Sequence, residues 1–274
     1  MSTKLGIVAG RGLLPVWIAE TCQKSGREFF VIALKGQAEA SRFDGLPHAW
    51  VRLGAMGRAI ELLREQGVGE IVLAGAVNRP SLSELKPDLR TARFAAKGFF
   101  SRGDDGLLAG IVKTLENEEG FKVVGAQDIL GGGLARKGQW GGVAPTERDR
   151  RDIERGRSVL GALAAADVGQ AVAVQDGVIL GIEAIEGTDR LIARSGELTR
   201  EGRGPVLVKL PKRGQEHRVD LPTVGPDTVE SAVRAGFVGI AVAAGATLVV
   251  EAETAIERAD AGGIFLVGIE GSDG

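Results

Sequence analysis

The sequence predicts an α/β protein of two domains, and three observations carry that expectation. The chain has 274 residues, more than one core usually organises, so two cores are expected. Through the first half, short apolar runs alternate with amphipathic helical stretches, the pattern of a parallel sheet with crossover helices. In the second half, Asp176-Gly177 lies between two apolar runs, which marks an antiparallel hairpin and so a different kind of sheet.

In the N-terminal half KLGIVA, FFVIALK, AWVRL and EIVLAGAV read as strands, separated by helical stretches such as LLPVWIAETCQKSG and GRAIELLREQG. A parallel sheet takes ligands at the carboxyl ends of its strands, which here carry Gly10 to Gly12, Gly36, Gly54 and GAVNRP. This is a Rossmann-like domain, expected over residues 1–150. A helix-rich section at 101–120 and 147–169 closes it. Over 151–274, AVAVQDGVILGIEAIE gives the hairpin, and GPVLVKL, GIAVAAG, TLVVEAE and GIFLVGIE add strands. Helices near 228–236 and 254–261 make this half a mixed α+β domain.

Charge and cysteine content exclude several functions. Thirty-four Lys and Arg stand against 36 Asp and Glu, a net charge of −2, so no overall positive field attracts nucleic acid. The single cysteine, Cys22, sits in a helical apolar pattern and is expected to be a buried, inert thiol. One cysteine also rules out an internal disulfide and a thiolate zinc cluster. The start of the chain reads as a strand and a loop rather than a leader. The run VGIAVAAGATLVV is too short and too glycine-broken to span a bilayer. The expected compartment is the cytoplasm, with any membrane contact peripheral.

Four segments carry candidate chemistry, each with a plain structural reading beside the functional one. GRGLLP, from Gly10 through Gly12 and Leu14 to Pro15, follows a strand and opens a helix as a dinucleotide loop does. Pro15 stands where the third glycine belongs, and the second strand ends in Lys35 rather than an acid, which argues against a nicotinamide cofactor. The turn either holds a nucleotide phosphate on its N–H groups or is a simple strand-to-helix turn. Asp104 and Asp105 precede a helix, as an N-cap does, but two adjacent carboxylates also suit Mg²⁺. Glu183 and Glu186 flank a strand end before Thr188 and Asp189, which either cap a helix or receive phosphate and metal. Finally, KLPKRGQEHRVDLP mixes Lys209, Lys212 and Arg218 with Glu216 and Asp220, a solvated loop or a site for phosphate and metal. Pro222 favours the second by fixing the direction of the chain at Asp220.

These segments together resemble the LpxI family of UDP-2,3-diacylglucosamine pyrophosphatases, end to end. The resemblance rests on LGIVAGRGLLP (5–15), GAVNRP (75–80), GDD (103–105), DVGQ (167–170), EAIEGTD (183–189), QEHRVDLPTVG (215–225) and ADAGGIF (259–265). It implies Mg²⁺- or Mn²⁺-dependent hydrolysis of a lipid A precursor in the cytoplasm of a Gram-negative bacterium. The products would be 2,3-diacylglucosamine 1-phosphate (lipid X) and UMP, with water attacking the uridine-side phosphorus. The resemblance also implies an active site between the two domains, peripheral contact with the inner membrane, and a homodimer.

The resemblance puts the leading catalytic residue at Asp220, with Lys209, Lys212 and Arg218 stabilising phosphoryl charge. Asp104, Asp105, Glu183, Glu186, Asp189, Glu216 and Asp220 are the candidate metal ligands. Gly10, Gly12, Leu14, Pro15, Asn78, Arg79, Gln170, Thr188, Gln215 and Thr223 are the candidate substrate contacts. Glu216 stands where relatives carry Asp, Val224 where they carry Ile, and Arg11 within a run richer in glycine. Of the two histidines, His217 lies in this loop as a surface residue and His48 lies far from it in sequence. The acyl chains need an apolar groove, for which Phe94 to Phe100 with Leu82 and Leu85 are candidates, flanked by Lys97 and Arg102. Two other readings stand beside this one: a non-catalytic carrier of sugar nucleotide or lipid, and a nicotinamide-dependent oxidoreductase.

Overall fold

Strand β1 (Leu5–Ala9) is flanked by β2 (Phe29–Lys35) and β4 (Glu70–Ala74), and all three run parallel, buried along most of their length. They form the centre of a five-stranded sheet with β3 (His48–Arg52) and β5 (Lys122–Val123), in the order β3-β2-β1-β4-β5. A computed structural model describes residues 3–78, 85–98, 104–131, 133–166, 168–212, 218–219 and 221–270, apart from the side chains of residues 104, 105 and 165.

The strands of this first sheet are apolar on both faces because helices cover both. Helix α1 (Leu14–Ser25) begins with Pro15 in its first turn and buries Pro15, Ile18, Ala19 and Cys22, one stripe at helical spacing. Phe30 and Ile32 of β2 point the other way, into a cluster with Ile60 and Leu63 of α2 (Met56–Glu65) and Val112 and Leu115 of α4 (Asp104–Asn117). A shorter helix, α3 (Leu89–Ala96), packs on α2. Cys22 is fully buried and burial pushes its thiol up, with Arg27 opposing, as expected of an inert thiol.

The chain divides into two units after Gly132, earlier than the boundary expected near residue 150. The reason is β6 (Gly138–Trp140), three residues too short to read as a strand, which pairs antiparallel with β13 (Phe265–Ile269). Ala135 also donates its N–H to Thr247 O at 2.8 Å, so the chain is part of the second unit well before residue 150. Arg218 and Val219 return to the first unit, where Val219 packs on the α2/α4 cluster.

The second unit holds a six-stranded mixed sheet in the order β6-β13-β11-β9-β7-β8. Strands β9 (Val206–Lys209), β11 (Gly239–Ala243) and β13 run parallel. Strand β7 (Ala171–Gln175) runs antiparallel to β9 and turns through Asp176 and Gly177 into β8 (Val178–Ile182). Both turn residues have positive φ, 53° and 75°, so the Asp-Gly hairpin forms as expected. A pair of two-residue strands, β10 (Thr223–Val224) and β12 (Leu248–Val249), forms a small separate sheet.

Alternation along β9 sorts the layers. Val206 and Val208 face α6 (Glu147–Leu163), while Leu207 faces α7 (Thr188–Glu197), α8 (Pro226–Arg234) and α9 (Ala252–Ala261). Gly156 lets α6 approach the sheet, since a Cβ there would lie 2.6 Å from Val208 Cγ2. A short helix, α5 (Ala126–Leu130), completes the described elements and packs on α1 in the first unit.

Candidate functional site

Lys209 ends β9 and shares the parity of Leu207, so its side chain turns to the face that α7 covers. Only 5% of it is exposed. Its ammonium donates to Thr188 Oγ1 and to the Thr223 carbonyl, both at 3.0 Å. Thr188 opens α7, with Gly187 as the cap residue, and donates its hydroxyl to Glu183 Oε1 at 2.8 Å. The Glu183 carboxylate is 6% exposed and takes the Gln170 N–H on Oε2 at 3.1 Å.

Topology explains why five residues so far apart in sequence meet here. Ala171 of β7 pairs with Lys209 and β8 returns alongside β7, so Gln170 and Glu183 arrive at the carboxyl end of β9. Gly169 is needed at this corner, because its φ is +55° and a Cβ would run into the Glu183 carbonyl. The Gln170 side chain brings a buried Oε1 that has no hydrogen-bond partner among the described residues, a state it shares with Gln127 Oε1, Ser195 Oγ and Thr247 Oγ1.

The other acids of this region are placed differently. Both oxygens of Glu186 are used within the protein, by Arg194 at 2.7 Å and by the Ala184 N–H at 3.1 Å. Burial works to raise the Glu186 carboxyl, but the hydrogen bonds from Arg194 and the backbone outweigh it and hold it below the ordinary range. Asp189 is exposed in the first turn of α7, where its charge complements the helix dipole. Thr188 does not cap that helix, because Gly187 holds the cap position and Thr188 is the first helical residue. Lys212 is half-buried, and Thr223 contributes its carbonyl to Lys209 while its hydroxyl donates to Leu221 O at 3.3 Å.

In the first unit the loop after β1 lies at the point where the strand order reverses, beside the loop after β4. Gly10 and Arg11 donate their N–H groups to the Ala74 and Ala76 carbonyls, each at 2.8 Å, so two turn amides expected for phosphate serve the fold instead. A Cβ on Gly10 would lie 2.5 Å from Ala76 O, which explains the glycine by close approach. Gly12 has a φ of +90°, Leu14 is half-buried and Pro15 is buried. The Arg11 guanidinium bonds the Asn78 side chain, whose backbone N–H meets Gln37 Oε1 at 2.8 Å.

Arg218 is anchored in this same unit, donating to Glu116 Oε1 at 2.7 Å and to Val123 O at 3.2 Å. The role of Glu116 was not visible in the sequence, where it is one more acid on a helix. Phe94 is 3% exposed, a core residue, and Leu85 is buried too. His48 is occupied by Leu46 O at 2.9 Å and by the rings of Phe43 and Trp50. Leu82, Arg79, Phe99, Phe100, Arg102, Gln215, Glu216, His217 and Asp220 lie outside the described residues, as do the side chains of Asp104 and Asp105.

Among the described residues no group of three or more His, Cys, Asp or Glu side chains converges as a metal ion requires. The described acids alone therefore do not fit Mg²⁺ or Mn²⁺. Among the described residues no helix is long and apolar enough to cross a membrane.

Comparison with known proteins agrees with this division of the chain. UDP-2,3-diacylglucosamine pyrophosphatase LpxI of Caulobacter vibrioides is 38% identical over 275 residues, covering 97% of this chain and 98% of that one. Two solved structures are far less similar. The C-terminal domain of the coenzyme A biosynthesis bifunctional protein CoaBC has a TM-score of 0.27 at 14% identity, covering 57% of this chain and 71% of that one. UDP-glucose-4-epimerase from Stenotrophomonas maltophila, with bound NAD and formylated UDP-arabinopyranose, has a TM-score of 0.32 at 12% identity, covering 94% and 92%. At those scores neither bears on the reading of the site. Residues 4–132 match the LpxI N-terminal domain and residues 136–267 the LpxI C-terminal domain, so this chain belongs to the LpxI family of enzymes.

Proposed function

We propose that the chain hydrolyses the pyrophosphate of UDP-2,3-diacylglucosamine to 2,3-diacylglucosamine 1-phosphate and UMP, a step of lipid A synthesis. Family membership and the activity named for the Caulobacter relative support the reaction class. The observation that carries it into the structure is the buried Lys209 ammonium at the carboxyl end of β9, beside the first turn of α7. A pyrophosphate gathers negative charge on its oxygens as it is cleaved, and a fixed cation in a nearly dry site stabilises that charge without reorganising.

The water oxygen bonds to the α-phosphorus as the bridging P–O bond breaks. The bond's electrons stay on the bridging oxygen, which leaves within the lipid's 1-phosphate, and the water's protons pass to solvent. Lys209, Lys212 and Arg218 are the cations for this step, with Arg218 also donating to Glu116 and Val123. Asp104, Asp105, Asp189, Glu216 and Asp220 are the acids left to hold a divalent ion, which when bound would neutralise the pyrophosphate and acidify water.

The test is product analysis by mass spectrometry after incubating purified protein with UDP-2,3-diacylglucosamine in ¹⁸O water, with Mg²⁺ and with chelator. This reading expects one ¹⁸O in UMP, none in the lipid phosphate, and no turnover with chelator. Label in the lipid phosphate would overturn the attacked phosphorus. Intact substrate under all conditions would overturn hydrolysis and leave a carrier.

A further inference from the structure

We propose that Glu183 and Thr188 are positioning residues that fix the Lys209 ammonium, and that Glu183 is not a metal ligand. The inference rests on the hydrolase reading for its activity arm and on geometry alone for its spectroscopic arm.

The direction of the chain Lys209, Thr188, Glu183 follows from donor chemistry. An ammonium has three donors and no acceptor, so Thr188 Oγ1 must accept from it at 3.0 Å. A hydroxyl has a single proton, and that proton therefore points away from Lys209, to Glu183 Oε1 at 2.8 Å. The second oxygen, Oε2, faces the Gln170 N–H at 3.1 Å. A carboxylate accepts at both oxygens, as these two donors require. An amide at position 183 would turn its N–H₂ against the Gln170 N–H, or against the Thr188 hydroxyl, whose proton would then lose its acceptor.

Burial makes the arrangement costly unless it serves a purpose. A lysine side chain loses rotamer freedom when fixed, and taking an ammonium from water adds a larger cost. The Glu183 charge, one hydroxyl away and itself 6% exposed, contributes to offsetting that cost. The Glu183 backbone is also held, its N–H donating to Ala171 O at 2.8 Å. Both carboxylate oxygens of Glu183 are turned to donors, the Thr188 hydroxyl and the Gln170 N–H, and Glu186 is turned to Arg194.

The variants are Thr188→Val, which keeps shape and removes the hydroxyl, Thr188→Ser, which restores it, Glu183→Gln, and the double variant T188V/E183Q. Thr188→Val and Glu183→Gln should each lower kcat by about 10–100-fold, the cost of a misplaced catalytic group, with KM within about three-fold. Because both act on one ammonium, the double variant should fall no further than about two-fold below the worse single. Thr188→Ser should stay within about three-fold of wild type, and the metal concentration for half-maximal rate should not move in any variant.

A rise of about ten-fold or more in that metal concentration for Glu183→Gln, absent in Thr188→Val, would make Glu183 a metal ligand and overturn the proposal. Fully additive losses would overturn it too. If Glu183→Gln does not fold, the Val and Ser pair decides alone.

The second arm needs no activity: the ¹H–¹⁵N signal of the Lys209 ammonium, assigned by its loss in Lys209→Met. It should be visible in wild type and in Thr188→Ser, and lost to exchange in Thr188→Val. An unchanged signal in Thr188→Val would overturn the positioning role. A wild type that releases no UMP would instead defeat the hydrolase reading, with this arm still deciding the relay.

Discussion

Strand β7 runs between two buried polar networks of opposite character. At its far end, Asp149 is 1% exposed and binds both Nε and Nη2 of Arg203, at 2.7 and 2.8 Å. The same carboxylate closes a capping box with Thr146 at the start of α6. One turn along, Asp152 takes the N–H groups of Asp176 and Gly177 at 2.9 and 2.7 Å and so holds the hairpin. Gln175, fully buried, bonds the Arg200 and Arg203 backbone through its amide.

At the near end the pattern is different. Lys209 is buried against a hydroxyl and a carbonyl, Thr188 links it to Glu183, and Gln170 Oε1 has no partner among the described residues. Where polar groups only hold the fold, each carboxylate meets its donors directly. At the carboxyl end of β9 the described contacts of the buried ammonium are neutral oxygens, one of which relays to Glu183. On the proposed function, the hairpin end is scaffold and the carboxyl end of β9 is where the chemistry would take place.

The largest effect should come from removing the cation at the chemical end. Lys209→Met, which keeps much of the side-chain volume, should lower kcat for UMP release by about 10²–10³-fold, the usual loss of one donor to a developing oxyanion. Its urea midpoint should stay close to wild type. A variant that keeps its rate would dissolve the distinction between the two ends.

At the scaffold end the order reverses. Arg203→Ala leaves Asp149 buried without its bidentate partner and should cost about 2–3 kcal/mol in urea unfolding, with kcat unchanged when the assay is run well below the melting temperature. Unchanged stability would show that the Arg203 pair is not what holds α6.

The smallest effect is in how that loss depends on pH. Burial works to raise the Asp149 carboxyl, and the hydrogen bonds from Arg203 and Thr146 outweigh it, holding it below the ordinary range. A carboxyl lowered by folding stabilises the protein above its unfolded value of about 4, and that contribution fades as pH falls through the folded value. The gap between wild type and Arg203→Ala should therefore narrow below about pH 4 and be constant from pH 5 to 7. A gap that widens in acid would contradict the assignment.

The sequence made the fold largely legible because its signals are local. Buried parallel strands such as FFVIALK and the Asp176-Gly177 turn carry their own periodicity and backbone preference. The boundary was missed because β6 has three residues and its partner β13 lies more than a hundred positions later. The two-residue strands β5 and β10 were illegible for the same reason, whereas β12 lies within TLVVEAE, which reads as a strand.

In the site, residue types were legible and their pairings were not. Glu183, Thr188 and Lys209 stood out as chemistry beside a helix start, but a bond that crosses a strand-to-helix corner has no spacing rule to reveal it. Likewise the GRGLLP turn resembled a phosphate loop, since nothing nearby showed that residues 74 and 76 would take its amides.

The most direct measurement is hydrogen exchange of the wild-type protein, read by mass spectrometry, with UMP and 2,3-diacylglucosamine 1-phosphate added together and without them. The account predicts slower exchange at 169–171, 183–190 and 209–211, and no change at 148–152 or 175–178. Protection confined to the hairpin end, or none at the carboxyl end of β9 when both products are saturating, would contradict it.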